Sequence, residues 1–219
     1  MKTITVKGVG AISVHPDQTV IHLELKNKKR RYEAAMEDSA KQIAELSSAL
    51  AGLGFEKTDL KTTTFDVDTS YEGVKDRNGN YKRIFDGYEV SQRLKLEFPL
   101  DVSRLGRVLA AIAACEANPE LSIAFTVKEP SAVSEGLLRA ATVNAREKAR
   151  ILCESADVRL GELLQVDYHW EELSLYSHTT YEMNDRCFSD APCAGIGDMA
   201  FEPDDIDVRD TVTFVWAIA

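Results

Sequence analysis

Thr3–Lys7 alternates apolar and polar residues, with Ile4 and Val6 on one face, and this strand pattern runs directly into Gly8-Val9-Gly10. That junction restricts the fold more than any other stretch. A glycine loop that cradles a dinucleotide must open a helix whose N-terminus meets the phosphate, and a second short alternation follows here instead. The glycines therefore read as structural, serving a bulge or a close backbone approach. His15-Pro16-Asp17-Gln18 reads as a hairpin turn leading into a strand over Thr19–Leu25. Lys2 is not followed by a long apolar core, so no secretory leader is expected and the protein is expected to be cytoplasmic.

From Tyr32 to Gly54, the residues Met36, Ala40, Ile43, Leu46, Leu50 and Leu53 recur at helical spacing, and Gly52 and Gly54 supply the stop. Thr58–Tyr71 has high strand propensity, with Leu60, Thr62 and Thr64 predicted on one face and Thr63, Phe65 and Val67 on the other. Asp76–Asn80 contains Asn-Gly, which favours the primed turn of a long hairpin. The return strand sets Tyr88, Val90, Leu94, Leu96 and Phe98 on one side, with Gln92 the only polar interruption. Asp101 is placed to cap a helix whose buried stripe is Leu105, Val108, Leu109 and Ile112. Leu121, Ile123, Phe125 and Val127 alternate as a strand, and Pro130-Ser131 then opens a helix with Leu137 or Leu138, Ala141, Ala145 and Leu152 along its seam. A late strand begins at Leu160, and Val212, Phe214 and Trp216 share one face of the last. Strands and helices do not alternate strictly, which disfavours a doubly wound parallel sheet. Helices packed on largely antiparallel sheets, an α+β fold, are expected.

The 219 residues carry a formal charge of −10, which disfavours sequence-independent nucleic-acid binding, since that relies on Lys and Arg neutralising phosphates. The basic run Lys26–Arg31 lies between a strand and a helix and reads as a solvated connector. No stretch approaches the roughly 20 apolar residues of a bilayer-spanning helix. Without export, the cysteines are expected as reduced thiols, Cys115 and Cys153 on apolar helix faces. Cys187 and Cys193 lie instead in Glu171–Asp205, a polar stretch with no sustained period.

The chain lacks both the Gly-x-Ser-x-Gly elbow of serine hydrolases and the Gly-Lys-Ser/Thr phosphate loop. His15 at a turn and His22 in a strand read as structural. The metal candidates are His169, His178, Cys187 and Cys193, although their spacing matches no zinc signature. Asp76, Asn78 and Asn80 imitate a calcium loop, but Tyr81 stands where that loop needs Gly. Asp66 with Asp68, and Asp204 with Asp205 and Asp207, are paired carboxylates that no neighbouring histidine or nucleophile is expected to join. They read as guards on solvated strand edges. No catalytic residue and no cofactor are expected.

Taken in order, these segments resemble the SIMPL domain family. The resemblance starts at Thr5-Val-Lys-Gly-Val-Gly10 with Pro16-Asp17 and continues through Asp59–Phe65, Tyr71 and Gly87-Tyr-Glu-Val-Ser91. Asp101, Leu105-Gly106, Val108-Leu109, Phe125, Ala140–Ala149 and Leu160-Gly161 follow, so the match is clearest over residues 3–165 and residues 171–205 diverge. It implies one domain over 1–219, in which long hairpins and helices build two interlocked subdomains. Family members are associated with oligomeric, ring-like assemblies, with bacterial stress tolerance and, in animals, with binding a signalling kinase. Many bacterial members are exported. The expected function is that of a non-enzymatic, self-associating interaction or scaffold protein, possessing a homo-oligomeric and a protein partner. The alternative is a small-ligand or metal-binding module built on the loop around Cys187 and Cys193.

Overall fold

The computed structural model describes residues 2–75, 81–169, 173–179, 181–183 and 202–219. The element order is β1 (Thr3–Val14), β2 (Gln18–Lys29), α1 (Tyr32–Ala51), β3 (Leu60–Lys75), β4 (Tyr81–Pro99), α2 (Val102–Ala113), β5 (Glu120–Thr126), α3 (Pro130–Ser155), β6 (Leu160–Asp167), β7 (Tyr181–Met183) and β8 (Ile206–Ile218). The strands form a three-stranded sheet, β1-β8-β6, and a five-stranded sheet, β3-β4-β2-β5-β7. The β1–β8, β6–β8, β2–β4, β3–β4 and β5–β7 ladders are all antiparallel. This is an α+β fold built as two compact units, one from Met1–Asp17, Thr126–His178 and Pro203–Ala219, the other from Gln18–Phe125 and Thr179–Glu202. Each unit is assembled from segments distant in the chain.

In the first unit α3 lies against β1 and β8. Its contact face is Leu137, Ala141, Ala145, Ala149 and Cys153, spaced by four residues and all buried. A Cβ added at Gly8 would stand 2.0 Å from the Ala141 carbonyl oxygen, and one at Gly10 2.1 Å from that of Leu137. The two glycines thus let helix backbone touch strand backbone. The predicted seam continued to Leu152, but that side chain is exposed. Spacing by four carries the seam through Ala149 to Cys153 instead. Val6, Val212, Phe214 and Trp216 complete the layer beneath the helix.

The expected β1–β2 hairpin does not form. β1 is one continuous strand that pairs with β8 from Thr3–Ala217 to Val14–Ile206, while β2 belongs to the other sheet. Pro16 has no N–H to give a ladder. The Asp17 N–H donates to the Thr126 carbonyl at 3.1 Å, and the Asp17 carboxylate accepts from the Lys128 N–H at 2.7 Å, so the turn is tied away from a hairpin.

The second unit buries Ile21, Leu23, Leu25, Leu94, Leu96 and Phe98 of the sheet against Leu46 and Leu50 of α1 and Leu105, Leu109 and Ile112 of α2. Asp101 caps α2, accepting from the Arg104 N–H at 3.0 Å. Along α1 the buried residues are Ala35, Ser39, Leu46 and Leu50, whereas Ala40, expected in the seam, is exposed. The Gln92 side-chain amide donates to the Ser39 hydroxyl, so the polar interruption of β4 selects which helix face turns inward. Cys115 is half-buried just beyond α2.

The predicted faces of β3 also shift. Thr62 pairs with Leu94 and Thr64 with Arg93, leaving Thr63 as a bulge. One extra residue moves everything after it to the other face, so Leu60 and Thr62 share a face with Phe65 and Val67. Inside the region read as aperiodic, β7 pairs with β5. Cys187, Cys193 and the Asp76–Asn80 turn lie outside the described residues.

Candidate interaction surface

β4 is longer than its neighbour β2. Their ladder ends at Lys29–Tyr88, whereas β3 stays with β4 as far as Lys75–Tyr81. Tyr71–Lys75 and Tyr81–Phe85 therefore run on as a ribbon of two strands, an arrangement only marginally stable alone in water. The root of the ribbon is a register shift that leaves Asp86 unpaired between Ser70–Gly87 and Tyr71–Phe85. Gly87 has φ +148, and a Cβ there would stand 2.6 Å from the Lys29 carbonyl oxygen. Only glycine fits that conformation and that approach. The Lys28 ammonium pairs with the Asp86 carboxylate and fastens the root to β2.

Cross-strand partners share a face. Phe65 opposes Gln92, Val67 opposes Val90 and Tyr71 opposes Phe85, so β3 continues the apolar face of the sheet. Helix α1 lies over β2 and β4. Along β3 and the ribbon that same face meets solvent: Phe65, Tyr71 and Phe85 are each 44% to 47% exposed, and Tyr81 is 75% exposed. Tyr71, Phe85, Tyr88 and Tyr32 form a chain of edge-to-face rings with successive centroids 6.0, 5.3 and 5.7 Å apart. Arg83 stacks 4.9 Å above the Tyr71 ring, and the Lys75 ammonium lies 5.2 Å from that of Tyr81. An exposed apolar strip of this kind is a candidate interaction surface.

The opposite face of β3 is acidic, with Asp66 and Asp68 exposed and Glu89 across from Asp68. Four of the five cations of the basic run, Lys26, Lys28, Lys29 and Arg31, meet acids within the unit. Lys26 lies 3.2 Å from Glu120 and 3.4 Å from Glu24, Lys29 3.3 Å from Asp38, and Arg31 3.6 Å from Glu33. Its hydrogen bond to Glu120 raises the pKa of Lys26. Partial burial opposes the charge of Glu24, but Lys26, the Ser91 hydroxyl and Arg93 hold its carboxyl below the usual range. A run whose charges are mostly spent on neighbouring acids reads as a connector.

Of the metal candidates, His169 and His178 are both exposed, while Cys187 and Cys193 lie outside the described residues. Among the described residues no group of three or more His, Cys, Asp and Glu is gathered as a metal would need. His15, expected to stand apart from the acids, meets Asp205 with Nδ1 3.0 Å from Oδ1. That contact joins residues 190 apart in sequence, which spacing could not foretell. Both side chains are more than half exposed, at 55% and 54%, and among the described residues no hydroxyl or thiol bonds to the imidazole. It is a surface pair. His22 has its pKa lowered, first by partial burial and then by Lys95, against the influence of Glu97.

An α+β fold whose most distinctive surface is an exposed aromatic hairpin defines a class recognised by architecture. The family is SIMPL, described as a protein of unknown function (DUF541); it matches residues 4–216, and the chain belongs to it. The 26 kDa periplasmic immunogenic protein of Brucella abortus (strain S19) is 25% identical over 163 residues, which covers 74% of this chain and 65% of that protein. The protein of the same name from Brucella melitensis biotype 1 is 24% identical over 163 residues with the same coverage. The chain thus spans 65% of the length of these curated relatives. Their names overturn the expected cytoplasmic location, since both are periplasmic. An early strand pattern beside Lys2 carries no information about compartment. Among the described residues no helix is long and apolar enough to cross a membrane.

Proposed function

We propose that this protein is a non-enzymatic, self-associating member of its family that works in the periplasm by binding other proteins. The observation that supports the reading is the bare apolar face of β3 and its ribbon, with Phe65, Tyr71, Phe85 and Tyr81 in solvent. Burying such surface is favourable by about 25 cal/mol per Å². β3 is also an edge strand with backbone groups free to pair, and a second copy is the partner always present at high local concentration. The periplasmic setting follows the names of the relatives. The stress-tolerance role that the family resemblance implies would then be exercised through contacts rather than turnover.

Sedimentation velocity across a concentration series tests the reading. The expected result is a species heavier than the 24.3 kDa chain that grows with concentration. A strict monomer at high micromolar concentration overturns it.

A further inference from the structure

The two free edges of the β3–β4 hairpin carry opposite charge. On the side of β3 away from the core, Asp66, Asp68 and Glu72 follow one another with Ser70 between, and β3 has no cation between Lys61 and Lys75. On β4 the ribbon segment Tyr81–Phe85 reads Tyr-Lys-Arg-Ile-Phe. The β2 ladder stops at Tyr88, so among the described residues no strand pairs with the second edge of this segment. Asp66, Asp68, Glu72 and Lys82 take part in no ion pair among the described residues.

These charges decide which edges can meet. Opposed residues of an antiparallel pair share a face, and like charges directly opposite are destabilising. If two β3 edges paired about a twofold axis centred anywhere from Asp66 to Ser70, acid would face acid. The successive registers set Asp66 on Asp66, Asp66 on Asp68, Asp68 on Asp68, Asp66 on Glu72, and Asp68 on Glu72. The β4 ribbon edge has no such conflict. An antiparallel register with Lys82 opposite Asp68 sets Phe85 opposite Phe65 and Arg83 opposite Val67, with no like-charged pair. Phe85 meets Phe65 on one face, with Arg83 beside Val67, and on the other Lys82 meets Asp68 while Ile84 lies against Asp66.

We infer that the Tyr81–Phe85 edge of one copy lies along the Phe65–Thr69 edge of the next, in a head-to-tail contact between two different patches. The inference rests on the self-association proposed above and names its partner surface. Each copy offers one edge of each kind, so the contact does not exhaust itself in a dimer.

Two charge-reversed proteins test it, Asp66→Lys with Asp68→Lys, and Lys82→Glu with Arg83→Glu, each checked for native circular dichroism and compared by sedimentation velocity at low salt. Each pair of substitutions alone should weaken self-association about tenfold or more, and added salt should weaken the wild type. All four substitutions in one chain should restore it, as should an equimolar mixture of the two proteins. The inference is overturned if the wild type assembles and Lys82→Glu with Arg83→Glu assembles as tightly, or if the fourfold variant does not recover. A monomeric wild type removes the self-association reading and this inference together.

Discussion

Replacing Gly8 by alanine tests how β1 and α3 are held together. The added Cβ would stand 2.0 Å from the Ala141 carbonyl oxygen and 2.7 Å from the Ala145 Cβ. The first contact is with helix backbone, which no rotamer change can relieve, so α3 must retreat from the sheet by about 1 Å or more. A gap of about that size forfeits a quarter to a half of each dispersion contact around Ala141, Ala145, Val212 and Phe214. Overpacking of this kind costs about 3 kcal/mol. In a chain of this length that lowers the melting temperature by roughly 6–12 °C. Differential scanning calorimetry reads the shift, and Ala145→Gly in the Gly8→Ala background should recover little, because the carbonyl contact remains. Gly52→Ala is the control. Gly52 has helical φ −61 and its added Cβ meets only the Ala49 carbonyl, at 3.5 Å, so alanine there should be neutral or stabilising by up to about 1 kcal/mol. If Gly8→Ala melts within about 2 °C of the wild type, the backbone contact between β1 and α3 is not what the glycine is for.

Three further outcomes are expected. Glu24, held below the ordinary 4.5, contributes stability that is present above that value and lost as pH falls through its lower folded pKa. Glu24→Gln should therefore reduce the difference in urea stability between neutral pH and about pH 3, by at most about 1 kcal/mol because Arg93 and Lys26 are largely exposed; an unchanged difference refutes this. Gln92→Leu alone strands the Ser39 hydroxyl in the core and should cost about 1–3 kcal/mol, while adding Ser39→Ala should recover most of it; strictly additive losses would mean the two side chains do not act together. Zinc and copper should leave the melting temperature of chelator-free protein unchanged, and stoichiometric metal in elemental analysis would instead give His169, His178, Cys187 and Cys193 a role.

What the sequence revealed tracks what is local. The alternation of β4, the stripe Leu105, Val108, Leu109 and Ile112, and the face Val212, Phe214 and Trp216 depend on spacing within one element, and all three stand as read, apart from Tyr88, which is only half-buried. The partner of β1 depends on a strand about 200 residues away, and a short Pro-containing turn pointed to the nearer strand. The bulge at Thr63 was illegible for another reason. Three successive threonines offer no apolar contrast, so a slip of one residue leaves no mark in the pattern. The interaction surface was half visible: the long hairpin could be read, but Phe65 and Tyr32 could not be assigned to it. Their exposure depends on which strands α1 covers, a property of packing rather than of period.

The two sheets protect their edges differently, and the difference bears on function. On β1 the Val9 N–H donates to the Asn144 side-chain carbonyl at 3.0 Å and the Lys7 carbonyl accepts from the Lys148 ammonium at 3.2 Å. Those groups are occupied, so that stretch of edge is closed to any strand. On β3 the guards are Asp66 and Asp68, which leave the backbone free and act only through charge. Carboxylates repel an edge that bears carboxylates and attract one that bears cations. An edge closed by hydrogen bonds rejects every partner, whereas an edge guarded by charge rejects its own likeness and stays open to its complement.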